Sequence, residues 1–151
     1  MSTPHLVDTN IVLRWINQNH PAHLVTDHAV ERLVNAGHPL CVTAQNLIEF
    51  WNVSTRPADR NGFGLTPART DIAMDRILDF FDFLPDNTRI FDEWRRAVQE
   101  NGVSGVAVHD ARLVAVMRVY GISRILTFNG PDFRRYDGIE AVHPNDLATA
   151  P

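Results

Sequence analysis

Apolar residues fall in short blocks along this chain, and their spacing alternates between strand-like runs and helical stripes. Leu6-Val7 is a short apolar strand that ends at Asp8-Thr9-Asn10. Residues 10–17 and 22–35 follow with helical spacing. In the second of these, Leu24, Val25, His28, Leu33 and Val34 form the expected inward stripe, and Gly37 suits the position just past a helix end. Residues 39–43 read as a second strand and 44–53 as a helix. Pro57, Gly62 and Gly64 make 54–66 a loop. Thr66-Pro67 then opens a helix to about Phe83, with Thr as cap and Pro at the first position. Ile72, Ile77, Phe80 and Phe81 help to set its faces. A brief strand is expected at 83–85 and a helix at 91–100, with Phe91, Trp94, Ala97 and Val98 on one stripe. Residues 106–120 form another helix, closed by Gly121. Strands at 124–128 and 139–142 complete the pattern. Strands separated by helices predict βαβ units and a mostly parallel sheet. No repeat or linker interrupts the chain, so 1–143 reads as a single domain and 144–151 as a loosely held tail.

Composition narrows the chemistry. The 151 residues are enough for one domain with a core of its own. No apolar run approaches the roughly 18 residues of a membrane helix, and residues 1–5 have no signal-peptide pattern. Cys41 is the only cysteine, which excludes an internal disulfide and fits a reducing, cytoplasmic setting. It also leaves no His/Cys set with zinc spacing. Net charge is −4, so any nucleic-acid contact must use locally placed cations. Every basic side chain is Arg; there is no Lys. That excludes a P-loop, a Schiff-base enzyme and a phospho-acceptor receiver domain, and leaves bidentate Arg contacts to phosphate.

Ligands of an open parallel sheet bind beyond the carboxyl ends of its strands. Asp8 ends the first strand, Asp132 follows the strand at 124–128, Glu49 lies in the helix after the second strand, and Asp110 opens the helix before the strand at 124. Carboxylates gathered on one edge would suit a hard cation such as Mg²⁺ or Mn²⁺, which neutralises a phosphodiester and activates water. Each residue also has an ordinary structural explanation. Asp8 fits a helix cap, Asp110 a first-turn carboxylate on the helix dipole, and Asp132 a turn residue in Asn129-Gly130-Pro131-Asp132. Glu49, flanked by two apolar residues on each side, is expected near the core, or on the helix's polar face.

Four segments together resemble one family. Residues 6–13 (Leu-Val-Asp-Thr-Asn-Ile-Val-Leu) are similar to the opening motif of PIN domains, and 44–50, around Glu49, to the second. Residues 108–115, in which Asp110 opens a helix, resemble the third, and 125–133 the fourth. Order and spacing hold over nearly the whole chain, and the likeness is strongest to bacterial VapC-type toxins. The stretch 50–57 with its Gly-containing loop resembles one subgroup of these. The resemblance implies a three-layer α/β/α sandwich and a ribonuclease dependent on Mg²⁺ or Mn²⁺. Asp8, Glu49 and Asp110 would be the main metal ligands. In many members an Asp stands two residues after the Thr of the fourth motif; here that position is Asn129, so Asp132 or Asn129 would fill the fourth role. Thr9 and Thr127 would offer hydroxyls to a carboxylate or phosphate, though a capping or turn role is the simpler reading for Thr9.

The implied reaction is in-line attack of water on phosphorus, leaving a 5′-phosphate and a 3′-hydroxyl. Arg56 and Arg60 in the loop, with Arg112, Arg134 and Arg135 near the carboxylate motifs, are the candidates for RNA contact. His109 is expected to point away from its neighbour Asp110. The toxin resemblance implies a cognate antitoxin protein, with a segment inserted near the site, and a homodimer. Other readings are a non-catalytic PIN-like module binding RNA or protein, and a stand-alone RNA-processing nuclease. A phosphatase or dehalogenase with Asp8 as covalent nucleophile fits poorly, because position 10 is Asn and no Lys exists.

Overall fold

The computed structural model describes residues 2–148. Five parallel strands form one sheet in the order β3-β2-β1-β4-β5. They are β1 (His5–Val7), β2 (Leu40–Thr43), β3 (Asp82–Leu84), β4 (Arg124–Leu126) and β5 (Glu140–Val142). Among the described residues seven α-helices connect or follow them: α1 (Thr9–Ile16), α2 (His23–Asn35), α3 (Ala44–Thr55), α4 (Pro67–Phe80), α5 (Ile90–Glu100), α6 (Val108–Tyr120) and α7 (Pro144–Ala148). This is the expected three-layer α/β/α sandwich.

Alternation along the strands separates the two faces. Val7, Leu40, Val42 and Leu126 point to one core, packed with Ile11, Val30, Phe50 and Ile77 from α1 to α4. Leu6, Cys41 and Ile125 point to the other, packed with Ala97, Val114 and Met117 from α5 and α6. The three central strands β1, β2 and β4 are thus covered on both sides, as a parallel sheet requires. Helix α6 is buried almost all round, because Ala115 and Val116 also meet Ile90 of α5.

Local signals set the element ends. Thr43 caps α3 in a reciprocal box with Asn46, and Thr66 caps α4 with Pro67 at its first position. Gly121 closes α6 with φ of 71°, where a β-carbon would be strained.

The inward stripes differ from expectation. Leu24 and Val34 are exposed, and Thr26, Ala29, Val30 and Leu33 carry the buried face of α2. Ile72 and Phe80 lie outside the core face of α4, which is Thr70, Ala73 and Ile77. Phe91 is exposed, and Ile90 and Ala97 anchor α5. In each case the choice between adjacent apolar positions depends on how the helix is rolled against the sheet, which periodicity does not specify. Of the stretch expected as a tail, Pro144–Ala148 form a short helix and Leu147 packs on the first core; 149–151 lie outside the described residues. Among the described residues no helix is long and apolar enough to cross a membrane.

Candidate active site

The chain builds outward from β1 through β2 to β3, then returns to the other side of β1 with β4 and β5. Such a switch point opens a crevice beyond the carboxyl ends of the strands. Register decides what stands there. Leu6 pairs with Ile125 and Val7 with Leu126, so the next residues, Asp8 and Thr127, fall side by side.

The Thr127 hydroxyl donates to Asp8 Oδ2 at 2.7 Å. The Thr9 amide donates to Asp8 Oδ1 at 2.8 Å, and Asn10 Nδ2 donates to Oδ2 at 3.3 Å. Asn10 Oδ1 accepts from the Phe128 amide at 3.3 Å, which ties α1 to the segment after β4. The Thr127 hydroxyl itself accepts from the Asn129 amide at 2.9 Å. Asp8 is only 8% exposed. Burial raises its pKa, against the hydrogen bonds from Thr127 and Thr9; the charge of Asp132 adds to the rise and that of Arg14 opposes it.

A cleft of about 670 Å³ opens at this point, lined by the carboxylates of Asp8, Glu49, Asp86 and Asp110. Asp110 lies in the first turn of α6. Burial, with the nearby charges of Asp8 and Asp132, pushes its pKa up to about 6, opposed by His109. Asp132 is exposed in the 3-10 turn Gly130–Phe133, outside the cleft lining, yet its charge raises both Asp8 and Asp110. Converging carboxylates that oppose one another's ionisation are an arrangement that a cation relieves. Donors of this kind, oxygen only, suit Mg²⁺ or Mn²⁺. Among the described residues no three of His, Cys, Asp and Glu form a ready-made cage. A cation here would therefore rest on few carboxylates and keep water ligands, as Mg²⁺ commonly does.

The PIN domain family profile matches residues 5–139. The chain belongs to the PIN domain family. No curated protein matches it in sequence. Solved structures share its fold at low identity. The VapBC2 complex of Rickettsia felis, bound to a promoter DNA fragment, aligns with a TM-score of 0.68 and 13% identity over 93% of this chain and 98% of that one. DNA-bound VapBC of Salmonella typhimurium gives 0.67 and 19% over 95% and 99%. Mycobacterium tuberculosis VapC20, described as a toxin cleaving the sarcin-ricin loop, gives 0.59 and 20% over 85% and 92%.

Within this PIN domain the expected residues divide. Asp8, Thr9, Glu49, Asp110, Arg112 and Asn129 line the cleft. Glu49 is exposed on α3, not near the core, and accepts from Asn52 Nδ2 at 3.4 Å. Neighbouring Ile48 is 71% exposed, so apolar flanks did not mark a buried position. The Thr9 hydroxyl neither caps nor meets a carboxylate; it accepts from Asn46 Nδ2 at 3.2 Å. His109, beside Asp110 in the first turn of α6, also lines the cleft. Arg56, Arg60, Arg134 and Arg135 are outside its lining. The loop holds Arg56 away: its Nη2 donates to the Asn61 carbonyl at 3.4 Å, and Gly62 is pressed so close to Arg56 that no β-carbon would fit.

Four contributors lay outside the sequence reading, among them Gln45, which lines the cleft from α3. Asn10 stood in the opening motif but was given no role. Arg14 acts on Asp8 through its charge, stacks 4.6 Å over the Phe128 ring and donates to the Asn10 carbonyl at 3.0 Å; its place one helical turn after Asn10 was the available signal. Asp86, in the β3–α5 loop, carries no sequence signal that separates it from other loop aspartates.

Thr127→Val tests the clamp on Asp8. The variant keeps side-chain shape but removes the 2.7 Å donor. Losing such an outer partner commonly costs about 10–100-fold in metal affinity or activity. Titration calorimetry with Mn²⁺ measures it, and unchanged affinity would show that Thr127 does not orient Asp8.

Proposed function

We propose that this chain is a divalent-metal-dependent endoribonuclease and the toxin of a toxin–antitoxin pair acting in the cytoplasm. The observation that carries this reading is the meeting of Asp8 and Asp110 in one cleft at the switch point, where the charge of Asp8 opposes ionisation of Asp110. Asp8, Asp110 and Glu49 would hold Mg²⁺ or Mn²⁺, directly or through its water ligands, with Asp132 or Asn129 at the fourth position. When bound, the cation supplies charge neutralisation at the phosphodiester and lowers the pKa of water in the cleft.

The chain's own residues do the positioning. Thr127, Thr9 and Asn10 fix the Asp8 carboxylate in one orientation. Glu49, which is exposed, would take the proton released from water and pass it to solvent. Water oxygen bonds to phosphorus as the P–O3′ bond breaks, so the products carry a 5′-phosphate and a 3′-hydroxyl.

A partner is supported by a second, apolar groove of about 720 Å³. Leu47, Ile48, Trp51, Met74, Leu78 and Phe83 line it, and Ile48 lines both this groove and the cleft, so the two are neighbours. An apolar antitoxin segment seated there would lie beside the carboxylate cleft, with Ile48 between them. A homodimer belongs to the same reading, and sedimentation of the purified chain checks it.

The test is a mixed RNA pool incubated with Mg²⁺ or Mn²⁺ beside an EDTA control. Cleavage with metal, ends of the stated chemistry and complete loss in EDTA are expected. Cleavage that survives EDTA would overturn the metal requirement. RNA binding without cleavage would make the chain a non-catalytic module. Cleavage without growth arrest on expression would make it a processing nuclease.

A further inference from the structure

Among the described residues four carboxylates but a single arginine, Arg112, line the cleft. An RNA backbone carries a negative charge at each phosphate, so its approach to this surface needs a cation as well as the metal. The cleft's arginine is already engaged. Arg112 Nη2 pairs with Asp86 Oδ1 at 3.1 Å, and Nη1 donates to Gln45 Oε1 at 3.2 Å. Gln45 Nε2 in turn donates to the His109 carbonyl at 2.7 Å. Side chains from the β3–α5 loop and from α3 thus hold a guanidinium that starts on α6, two residues beyond Asp110.

The chemistry of that contact is informative. A carboxylate and a phosphodiester both present anionic oxygens to a guanidinium fork, so Asp86 occupies Arg112 as a phosphate would. The two side chains are 35% and 46% exposed, and ion pairs this open to water contribute little. The pair can exchange one anion for another without disturbing the core. Gln45 is neutral and anchored to the backbone, so it can keep the fork aimed while the anion changes.

We infer that Arg112 binds a backbone phosphate of RNA in the cleft, and that Asp86 is an internal competitor which that phosphate displaces. Asp86 then sets how readily RNA enters. It weakens the binding of any nucleic acid whose phosphate uses Arg112. Arg112 and Gln45 are positioning residues for the substrate. This inference rests on the nuclease reading, which the assay below tests separately.

Steady-state cleavage of a mixed-sequence single-stranded RNA oligonucleotide with Mn²⁺, at several salt concentrations, distinguishes the roles. Arg112→Gln should raise KM by about tenfold, the loss of one charge-assisted hydrogen bond. It should also flatten the slope of log KM against log salt by about one unit. Asp86→Asn should do the opposite and lower KM by about threefold, the scale of an exposed ion pair. The double variant should match Arg112→Gln alone, because the competitor acts only through the arginine. Arg112→Lys should keep the salt slope while raising KM, and it replaces Arg112→Gln if that variant fails to fold. A pair that merely braces the β3–α5 loop predicts that both single variants raise KM and lower the unfolding temperature. A rise or no change in KM for Asp86→Asn overturns the competitor role. RNA cleavage with KM unchanged in every variant overturns the inference and leaves the nuclease reading intact, whereas a wild type that cleaves no RNA removes both.

Discussion

Asp8→Asn is expected to reduce metal-supported RNA cleavage by more than the roughly 100-fold upper range for loss of an outer metal partner, because it removes a ligand itself. The fold should survive. Asp8 is the cap residue of α1, and Asn caps as well as Asp does. Its Oδ1 can still accept from the Thr9 amide, now 2.8 Å away. Two further effects oppose each other. A neutral amide removes a charge that burial penalises, which stabilises the metal-free protein. The amide nitrogen would face the Thr127 hydroxyl and Asn10 Nδ2, and turning those groups to suit costs stability. The unfolding temperature in EDTA should therefore move by only about 2–4 °C, the scale of one kcal/mol in a domain of this size. The upward shift that Mn²⁺ gives the wild type should vanish. Cleavage by the variant within tenfold of wild type would sink the assignment of Asp8.

Metal affinity should fall steeply below about pH 6, by roughly tenfold per pH unit for each proton the cation must displace. Asp110 sets the window, since its carboxyl is pushed up to about 6 from 3.8. The sign follows from linkage. Between those two values the unfolded chain has already lost the proton that the folded chain keeps. The contribution of Asp110 to stability is thus full below the unfolded pKa and is lost as pH rises through about 6. Asp8, raised mainly by burial, acts in the same direction. Above this window the metal-free protein holds mutually opposed carboxylates, and a divalent cation restores what ionisation removed. Calorimetric titration with Mn²⁺ at about pH 7.5 and about pH 5, in buffers of different ionisation enthalpy, should show proton release that grows toward the lower pH. Equal affinity at the two values would exclude both carboxylates as ligands. Asp110→Asn should remove most of the pH dependence along with most of the binding, which separates Asp110 from titration elsewhere in the chain.

These effects depend on partners the sequence revealed unevenly. Asp8 and Thr127 were legible as residues at strand ends, yet their hydrogen bond was not. It follows from the pairing of Val7 with Leu126, across 119 positions. Glu49 was legible as a family position, but its surroundings stayed open between core and polar face, because apolar flanks on a helix do not say which way the helix is rolled. Arg56 and Arg60 drew attention as cations in a loop, while the arginine beside Asp8 proved to be Arg14, packed on Phe128.

The sequence by itself determined the order of strands and helices, the capped start at Thr66, the glycine stop at Gly121 and the family's four motifs. All of these are written in neighbouring residues: a cap, a turn or an apolar period needs only local chain geometry. Tertiary structure decided the order β3-β2-β1-β4-β5, the meeting of Asp8 with Asp110, the entry of Asp86 into the cleft and its hold on Arg112. Those contacts join segments far apart in the chain, and they exist only once strand pairing and core packing have set the register between them.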